Sequence, residues 1–441
     1  MNIILLSGGS GKRLWPLSNE TMSKQFLRLL RNEKGEKESM VQRVFRQIKE
    51  VGIDANIVVA TSKTQVESIK SQLGDDVDIV IEPERRNTFP AILLAVSYLK
   101  YKKNVDENES VLVLPVDPYT ENTYFETLIK MDKAIQSGGT DMTLMGIEPT
   151  YPSEKYGYII CETNNNEVKK VNKFQEKPSL EKAKELLAQG AYWNAGVFGF
   201  KLSYIMNILK RNIEVNSFEE LQSRFSELKK DSFDYEVVEK ADSINMIPYK
   251  GEWKDLGTWN TLTEEMPANH GNVITGEGNK NVSIVNVEDK PVVVLGLNDV
   301  VVVNSTEGVL VSSKEKSSYL KPYVENLNDG RPLFEEKRWG EYKVLEENNC
   351  TDGYKTLTKH LTIKQNKSIS MQVHAHRDEI WTIIDGEGEL TIDDSISIVK
   401  RGDTVSIHTG QKHKIVAKTD LHIIETQIGD KLIEEDIERF D

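Results

Sequence analysis

The chain has 441 residues, 38% hydrophobic and 29% charged, with a net charge of −14. This length and composition fit a soluble globular protein of two or three domains, and the acidic balance argues against a nucleic-acid coat, which needs a basic surface. No apolar run approaches the roughly 18 residues that span a bilayer, so neither a nucleic acid nor a membrane is expected as a partner.

The opening apolar stretch 3–6 has no basic flank and meets glycines at once, so it reads as a strand and not a signal peptide. Further strands are expected at 56–61, 78–82, 110–116 and 142–147. Between them, Met40, Val41, Val44, Phe45, Ile48 and Val51 recur at helical spacing with Gly52 as the stop, and 91–98 reads as a buried helix after Pro90. Strand–helix alternation implies a parallel sheet covered by helices, with ligands beyond the carboxyl ends of the strands. Strands at 158–161, 168–176 and 192–201 follow, with a helix at 180–187 capped by Ser179. The β-branched run 292–303 marks a short β connector, and 317–327 reads as a helix. From about 335, short strands at 355–363, 368–373, 381–384, 389–392, 404–407 and 422–427 suggest a small β-barrel or jelly roll. No internal repeat is evident. The two cysteines, Cys161 and Cys350, lie far apart, which fits a reducing compartment, and the cytoplasm is expected.

After the first strand comes Ser7-Gly8-Gly9-Ser10-Gly11-Lys12-Arg13. A Walker A motif fails, because Arg13 stands where the magnesium-binding hydroxyl should be. A dinucleotide fingerprint fails at Leu14. What remains is a loop whose backbone N–H groups can converge on an anion beside two cations; a tight turn alone would also explain the glycines. The longer stretch, through Leu14-Trp15-Pro16-Leu17-Ser18 to Lys24-Gln25-Phe26, resembles the signature of sugar-nucleotide pyrophosphorylases, especially mannose-1-phosphate guanylyltransferases.

That resemblance implies a loop around the nucleotide phosphates formed by Leu6, Gly8, Gly9, Ser10, Gly11, Lys12 and Arg13, with Arg13 and Lys24 on the leaving pyrophosphate. Asp117 ends a strand and Asp255 lies in Trp253-Lys254-Asp255-Leu256-Gly257, and the resemblance makes both ligands of Mg²⁺. The segment from Glu82 to Ala91 resembles the family's base pocket, which implies Glu82, Arg86, Asn87 and Thr88 at a guanine nucleotide. Phe174-Gln175-Glu176-Lys177-Pro178 resembles F-x-E-K-P, with Lys177 on the sugar phosphate and Glu176 on sugar hydroxyls. Gly157, Asn194 and Gly196 complete the implied sugar site.

Six of the seven histidines follow residue 359. On a strand, His374 and His376 would share one face, and imidazoles with a carboxylate suit a transition metal. His374, His376, Glu379 and, after Gly402, His413 resemble the two cupin motifs. The stretch from Ser370 to Trp381, with Arg338-Trp339-Gly340, resembles type II phosphomannose isomerases, in which the Arg after the second His, here Arg377, assists proton movement between C1 and C2. Zn²⁺, Co²⁺ or Mn²⁺ is the implied cupin metal.

The expected fold is α/β: a Rossmann-like nucleotidyltransferase domain (1–268), a short β-rich connector (269–330) and a C-terminal cupin β-barrel (331–441). The expected activities are GMP transfer from GTP to mannose 1-phosphate, giving GDP-mannose, and isomerisation of mannose 6-phosphate and fructose 6-phosphate, with a phosphomannomutase needed between them. The product would feed polysaccharide synthesis, and a homo-oligomer, a dimer, is the expected assembly. Two alternatives stay open: another sugar 1-phosphate, such as a heptose or glucose, beside a non-isomerase metal-binding cupin; and a non-catalytic nucleotide-sugar sensor.

Overall fold

Short β-branched strands pair in parallel at the start of the chain and set the frame for the first site. The computed structural model describes every residue except Ser10, Asn165, Pro267, Asn326, 328–330, 434–435 and Asp441. It divides into two compact units. The first comprises Met1–Gly9, Lys24–Val66 and Asp76–Gly257, and the second comprises Ser10–Ser23, Glu67–Asp75 and Thr258–Asp441.

The first unit contains β1 (Asn2–Ser7), β2 (Asn56–Ser62), β3 (Asp78–Glu82), β4 (Ser110–Pro115), β5 (Pro118–Thr120), β6 (Met142–Ile147), β7 (Tyr158–Cys161), β8 (Lys169–Gln175), β9 (Tyr192–Lys201), β10 (Ile244–Tyr249) and β11 (Trp253–Asp255). Nine of these form one sheet in the order β3-β2-β1-β4-β9-β6-β10-β8-β7. β1 runs parallel to β2 and β4, while β9 runs antiparallel to β4 and β6. β5 and β11 form a separate antiparallel ribbon in which Asp255 pairs with Pro118.

The helices that shape the site are α1 (Met40–Glu50), α2 (Thr88–Tyr101), α3 (Asn122–Ser137) and α4 (Phe233–Glu236). α1 starts at a capping box, Ser39 with Gln42, which satisfies two otherwise unpaired N–H groups. α2 begins earlier than expected, because Pro90 falls in the first turn, where a missing N–H costs nothing. Phe89, Ile92, Leu93, Leu94, Val96 and Leu99 of α2 are all buried in the core, and truncating one to alanine would cost about 2–5 kcal/mol.

In the second unit the connector contains β12 (Val273–Thr275), β13 (Ser283–Asn286), β14 (Val292–Val294), β15 (Val300–Ser305) and β16 (Gly308–Ser313). The apolar run 292–303 is broken by a turn in which Gly296 and Asp299 have φ of 64° and 53°. β12 pairs in parallel with β14 and β13 with β15, the partners standing 19 and 18 residues apart. This coil repeat corrects the expectation of no repeat. It rests on few matched positions, such as Ile284 beside Val302 and Asn286 beside Asn304, whose side-chain amides bond at 2.9 Å. The expected helix 317–327 is also corrected. Two single turns, Lys314–Ser317 and Lys321–Val324, occupy the region, since Pro322 cannot continue a helix from the residues before it; Asn326 lies outside the described residues.

The C-terminal part of this unit is a cupin of two antiparallel sheets. Its strands are β17 (Phe334–Lys337), β18 (Gly340–Asn349), β19 (Lys355–Ile363), β20 (Ser368–Val373), β21 (Arg377–Asp385), β22 (Glu387–Ile392), β23 (Ser395–Lys400), β24 (Thr404–Ile407), β25 (His413–Ala417), β26 (Leu421–Gly429) and β27 (Glu438–Arg439). The sheet orders are β17-β18-β19-β26-β21-β24 and β23-β22-β25-β20-β27. Alternation puts Leu357, Leu361, Trp381, Ile383, Leu390, Ile415 and Ile423 in a shared core. The same alternation buries polar side chains farther along β21 and β26: Arg377, Glu379, Glu425 and Gln427.

Candidate active sites

The carboxyl ends of β1 to β4 open onto a cavity of ≈ 400 Å³ lined by Leu6, Gly8, Gly9, Gln25, Ser62, Glu82, Arg85, Asn87, Thr88, Pro115 and Asp117, among others. The loop after β1 is fixed from beneath. Gln25 donates to Ser7 Oγ and to Gln65 Oε1, both at 3.2 Å, and Gln65 donates to the Gly9 carbonyl at 3.1 Å. Gly9 has φ of 130°, a region that favours glycine. Asn87 caps α2 by accepting from the Thr88 N–H at 2.8 Å. Burial pushes the Glu82 carboxyl up to about 7, with Arg85 opposing.

The β5–β11 ribbon brings Asp117 and Asp255 together. Lys24 Nζ lies 2.6 Å from Asp117 Oδ2 and 3.2 Å from Asp255 Oδ1. Burial would lower the Lys24 pKa, but the two carboxylates outweigh it and raise it. The ribbon is anchored at Thr120, whose carbonyl accepts from Gln47 at 3.0 Å and Arg43 at 3.3 Å. Gly257 is needed here, because a β-carbon would lie 2.8 Å from Asp255 Oδ1. Two carboxylates that already share one cation fit a hard divalent metal by donor chemistry.

A second cavity, ≈ 220 Å³, is lined by Pro115, Asp117, Tyr156, Gly157, Glu176, Asn194, Gly196, Asp234, Trp253 and Asp255, among others. Pro115 and Asp117 therefore line both cavities. Glu176 Oε1 pairs with Lys177 Nζ at 2.9 Å, while Glu176 Oε2 is buried and meets no donor among the described residues. Such an oxygen costs about 1–3 kcal/mol until a ligand donates to it. A β-carbon at Gly157 would collide with that oxygen. Gly196 has φ of 68°, and its N–H donates to Asn194 Oδ1 at 3.0 Å.

The structure places the remaining expected residues elsewhere. Gly11, Lys12 and Arg13 belong to the second unit. Gly11 has φ of 63° and packs so closely on Ser23 that a β-carbon would sit 2.9 Å away. Lys12 Nζ donates to the Glu325 carbonyl at 2.8 Å, and Arg13 is exposed. Ser10 lies outside the described residues. Arg86 braces the fold by donating twice to the Leu228 carbonyl, at 2.8 and 3.2 Å, while Arg85 lines the cavity. Gln25, Arg85, Asp234 and Gly257 escaped sequence reading, since no spacing pattern marks them.

In the cupin, His374, Glu379 and His413 offer ligand atoms within 4.8 Å of one another, all buried. His374 Nδ1 bonds the Asp436 carbonyl at 2.7 Å and His413 Nδ1 bonds the Gln411 carbonyl at 3.1 Å. Carbonyl partners put the proton on Nδ1 and leave both Nε2 lone pairs facing Glu379. Burial lowers the His374 pKa, favouring the neutral ligand form. Burial alone would raise the Glu379 carboxyl, but His413, His374 and Arg377 outweigh it and keep it ionised. This donor set fits a transition metal.

His376 is corrected as a ligand. Residues 374–376 form a bend and not a strand, so alternation does not apply. Asp436 pins the bend by accepting from the N–H groups of Ala375 and His376, at 2.9 and 3.2 Å. His376 is 46% exposed and faces Asp430 at 3.4 Å. Gln372 takes its place at the cluster, with Nε2 3.3 Å from His413 Nε2. Arg377 is buried, its Nε donating to Glu379 Oε1 at 3.0 Å.

A family profile described as nucleotidyl transferase matches residues 2–271. The chain belongs to that family. This nucleotidyltransferase also matches profiles for a MannoseP isomerase/GMP-like β-helix domain over 271–327 and for a mannose-6-phosphate isomerase C-terminal domain over 333–441. It is 31% identical to the alginate biosynthesis protein AlgA of Pseudomonas putida, covering 99% of this chain and 95% of that relative. It is 30% identical to the mannose-1-phosphate guanylyltransferase of Salmonella montevideo, covering 99% and 98%. A solved structure described as a mannose-1-phosphate geranyltransferase from Thermus thermophilus superposes with a TM-score of 0.61 at 28% identity, covering 74% of this nucleotidyltransferase and 98% of that chain. Among the described residues, no helix is long and apolar enough to cross a membrane.

Proposed function

We propose that the protein transfers GMP from GTP to mannose 1-phosphate, releasing pyrophosphate and GDP-mannose, and that its cupin interconverts mannose 6-phosphate and fructose 6-phosphate. The observation that carries the first activity is the pair of cavities sharing Asp117. A nucleotide in one and a sugar phosphate in the other would meet at that carboxylate. The sugar-phosphate oxygen then attacks the α-phosphorus in line and pyrophosphate leaves, so positioning and charge suffice and no covalent nucleophile is needed.

Asp117 and Asp255 would hold Mg²⁺, which supplies positive charge at the phosphates when bound. Lys24, released from its two carboxylates, would then neutralise the departing pyrophosphate. Lys177 would bind the sugar phosphate, and Glu82 would accept from guanine N–H groups. Arg13 is a proposed pyrophosphate ligand on the family resemblance alone.

In the cupin, Gln372, His374, Glu379 and His413 would hold a divalent transition metal, Zn²⁺, Co²⁺ or Mn²⁺, which polarises a sugar carbonyl when bound. Turning the Gln372 amide would present its oxygen as a donor. Arg377 would balance negative charge developing on the substrate. The similarity of the C-terminal profile supports this half.

Free cysteines at 161 and 350 support a cytoplasmic location. Exposed Ile274, Val293, Leu295, Val309 and Val311 in the connector support a homodimer. The deciding experiment is pyrophosphate release with Mg²⁺, offering mannose 1-phosphate with GTP, ATP, CTP or UTP. GTP-dependent release is expected. No release with any nucleotide would overturn the reading.

A further inference from the structure

We infer that Asp234 is a specificity residue of the sugar site: its carboxylate and that of Glu176 accept hydrogen bonds from neighbouring ring hydroxyls of the bound hexose phosphate. The inference rests on the transfer reading above and assigns the residue that reads the sugar.

Asp234 lies on α4, a single turn capped by Ser232, whose Oγ accepts from the Tyr235 N–H at 3.3 Å. Asn194 aims it. Because the Gly196 N–H donates to Asn194 Oδ1, the amide orientation is fixed, and its NH₂ must face the carboxylate. Asn194 Nδ2 indeed donates to Asp234 Oδ1 at 2.7 Å. The second carboxylate oxygen is left for a ligand in the cavity that Asp234 lines. Across that cavity stands Glu176, with its buried, undonated Oε2.

Two carboxylates on one small cavity repel each other, and Lys177 is committed to Glu176 Oε1. Burial and the charge of Glu176 both push the Asp234 carboxyl up, to about 6. A phosphate between them would add a third negative charge. Sugar hydroxyls instead donate to both acceptors and relieve the repulsion, and two fixed acceptors select the placement of two hydroxyls.

The test is calorimetric binding of mannose 1-phosphate and its four monodeoxy analogues, with a non-hydrolysable GTP analogue present, to the wild type, Asp234→Asn and Glu176→Gln. Loss of a hydrogen bond to a charged group corresponds to about 10- to 100-fold in affinity. Asp234→Asn is expected to weaken mannose 1-phosphate by that factor, leave the GTP analogue within twofold, and remove the penalty for one deoxy position. Glu176→Gln is expected to do the same for an adjacent position. A wild-type affinity and deoxy profile in Asp234→Asn would overturn the assignment. Should Asp234→Asn also lose the GTP analogue, Asp234→Glu decides: an altered deoxy profile supports the assignment, and an unaltered one sinks it. Wild-type protein that shows the expected profiles but transfers no nucleotide would refute the transfer reading and leave Asp234 as the sugar reader.

Discussion

Lys24 and Asp117 form an ion pair at 2.6 Å, and the same ammonium reaches Asp255 at 3.2 Å. The ligand-free protein thus keeps its two carboxylates neutralised with an internal cation. A divalent metal must displace that cation, which frees a lysine beside the reacting phosphates at the moment it is required.

Asp255→Asn is expected to slow pyrophosphate release by about 10²–10³-fold, the scale for removing a preorganised charge from an active site, and to raise the Mg²⁺ concentration for half-maximal rate. Lys24→Met leaves the two acids facing each other. Since both acids are about one-third exposed, the destabilisation is expected to be about 1 kcal/mol. Scanning fluorimetry should show a lower Tm without metal and recovery on adding Mg²⁺.

The two cavities should respond to pH separately. The Glu82 and Asp234 carboxyls titrate at about 7 and about 6 in the folded protein, above roughly 4 for unfolded carboxyls. Their contribution to ligand-free stability is therefore fully present below about pH 4 and lost as pH rises through those values. Ligand affinity has the opposite sign, because N–H and O–H donors need an ionised acceptor. Glu176 and Lys177 face Asp234 with opposing effects, and Arg85 faces Glu82. Steady-state profiles should show the KM for GTP rising as pH falls through about 7, and the KM for mannose 1-phosphate rising as it falls through about 6. Glu82→Gln should flatten the first profile only.

Gly157→Ala would put a methyl group against Glu176 Oε2 and 3.0 Å from Phe174 Cζ. The expected result is an increase of about tenfold or more in the KM for the sugar phosphate, with GTP affinity unchanged. An unchanged sugar KM would mean that Glu176 does not face the sugar.

For the cupin, metal content by mass spectrometry should separate the two kinds of histidine. His413→Ala is expected to lose the metal and isomerisation while guanylyl transfer continues. His376→Ala is expected to retain the metal, and Gln372→Leu to weaken its binding about 10–100-fold, the scale for loss of a supporting ligand. Metal loss in His376→Ala comparable to that in His413→Ala would restore the histidine pair as ligands.

Much of this was legible because strand periodicity and glycine placement are local properties. The ends of β1 and β4 put Leu6 and Asp117 where an α/β sheet should bind ligands. Asp234 was not legible, because its role comes from an amide forty positions earlier, fixed by a backbone N–H. His376 misled for the converse reason: the i, i+2 rule holds only on a strand, and Asp436, sixty residues later, bends that segment. The coil of the connector was hidden because stacking needs only a few matched side chains per turn.

The path of the chain also sets what can be taken apart. It leaves the first compact unit after Gly9 and rejoins it at Lys24. In between, Lys12 bonds the Glu325 carbonyl, the Pro16 carbonyl accepts from Ser305 at 3.0 Å, and Asn19 reaches Glu307 at 3.4 Å. A gene fragment stopping at residue 268 would keep the glycine loop but discard everything that folds it. Evolution could therefore not have shuffled this transferase onto its C-terminal partner, or off it, by a single cut: the connector is a structural part of the first enzyme as well as a link to the second.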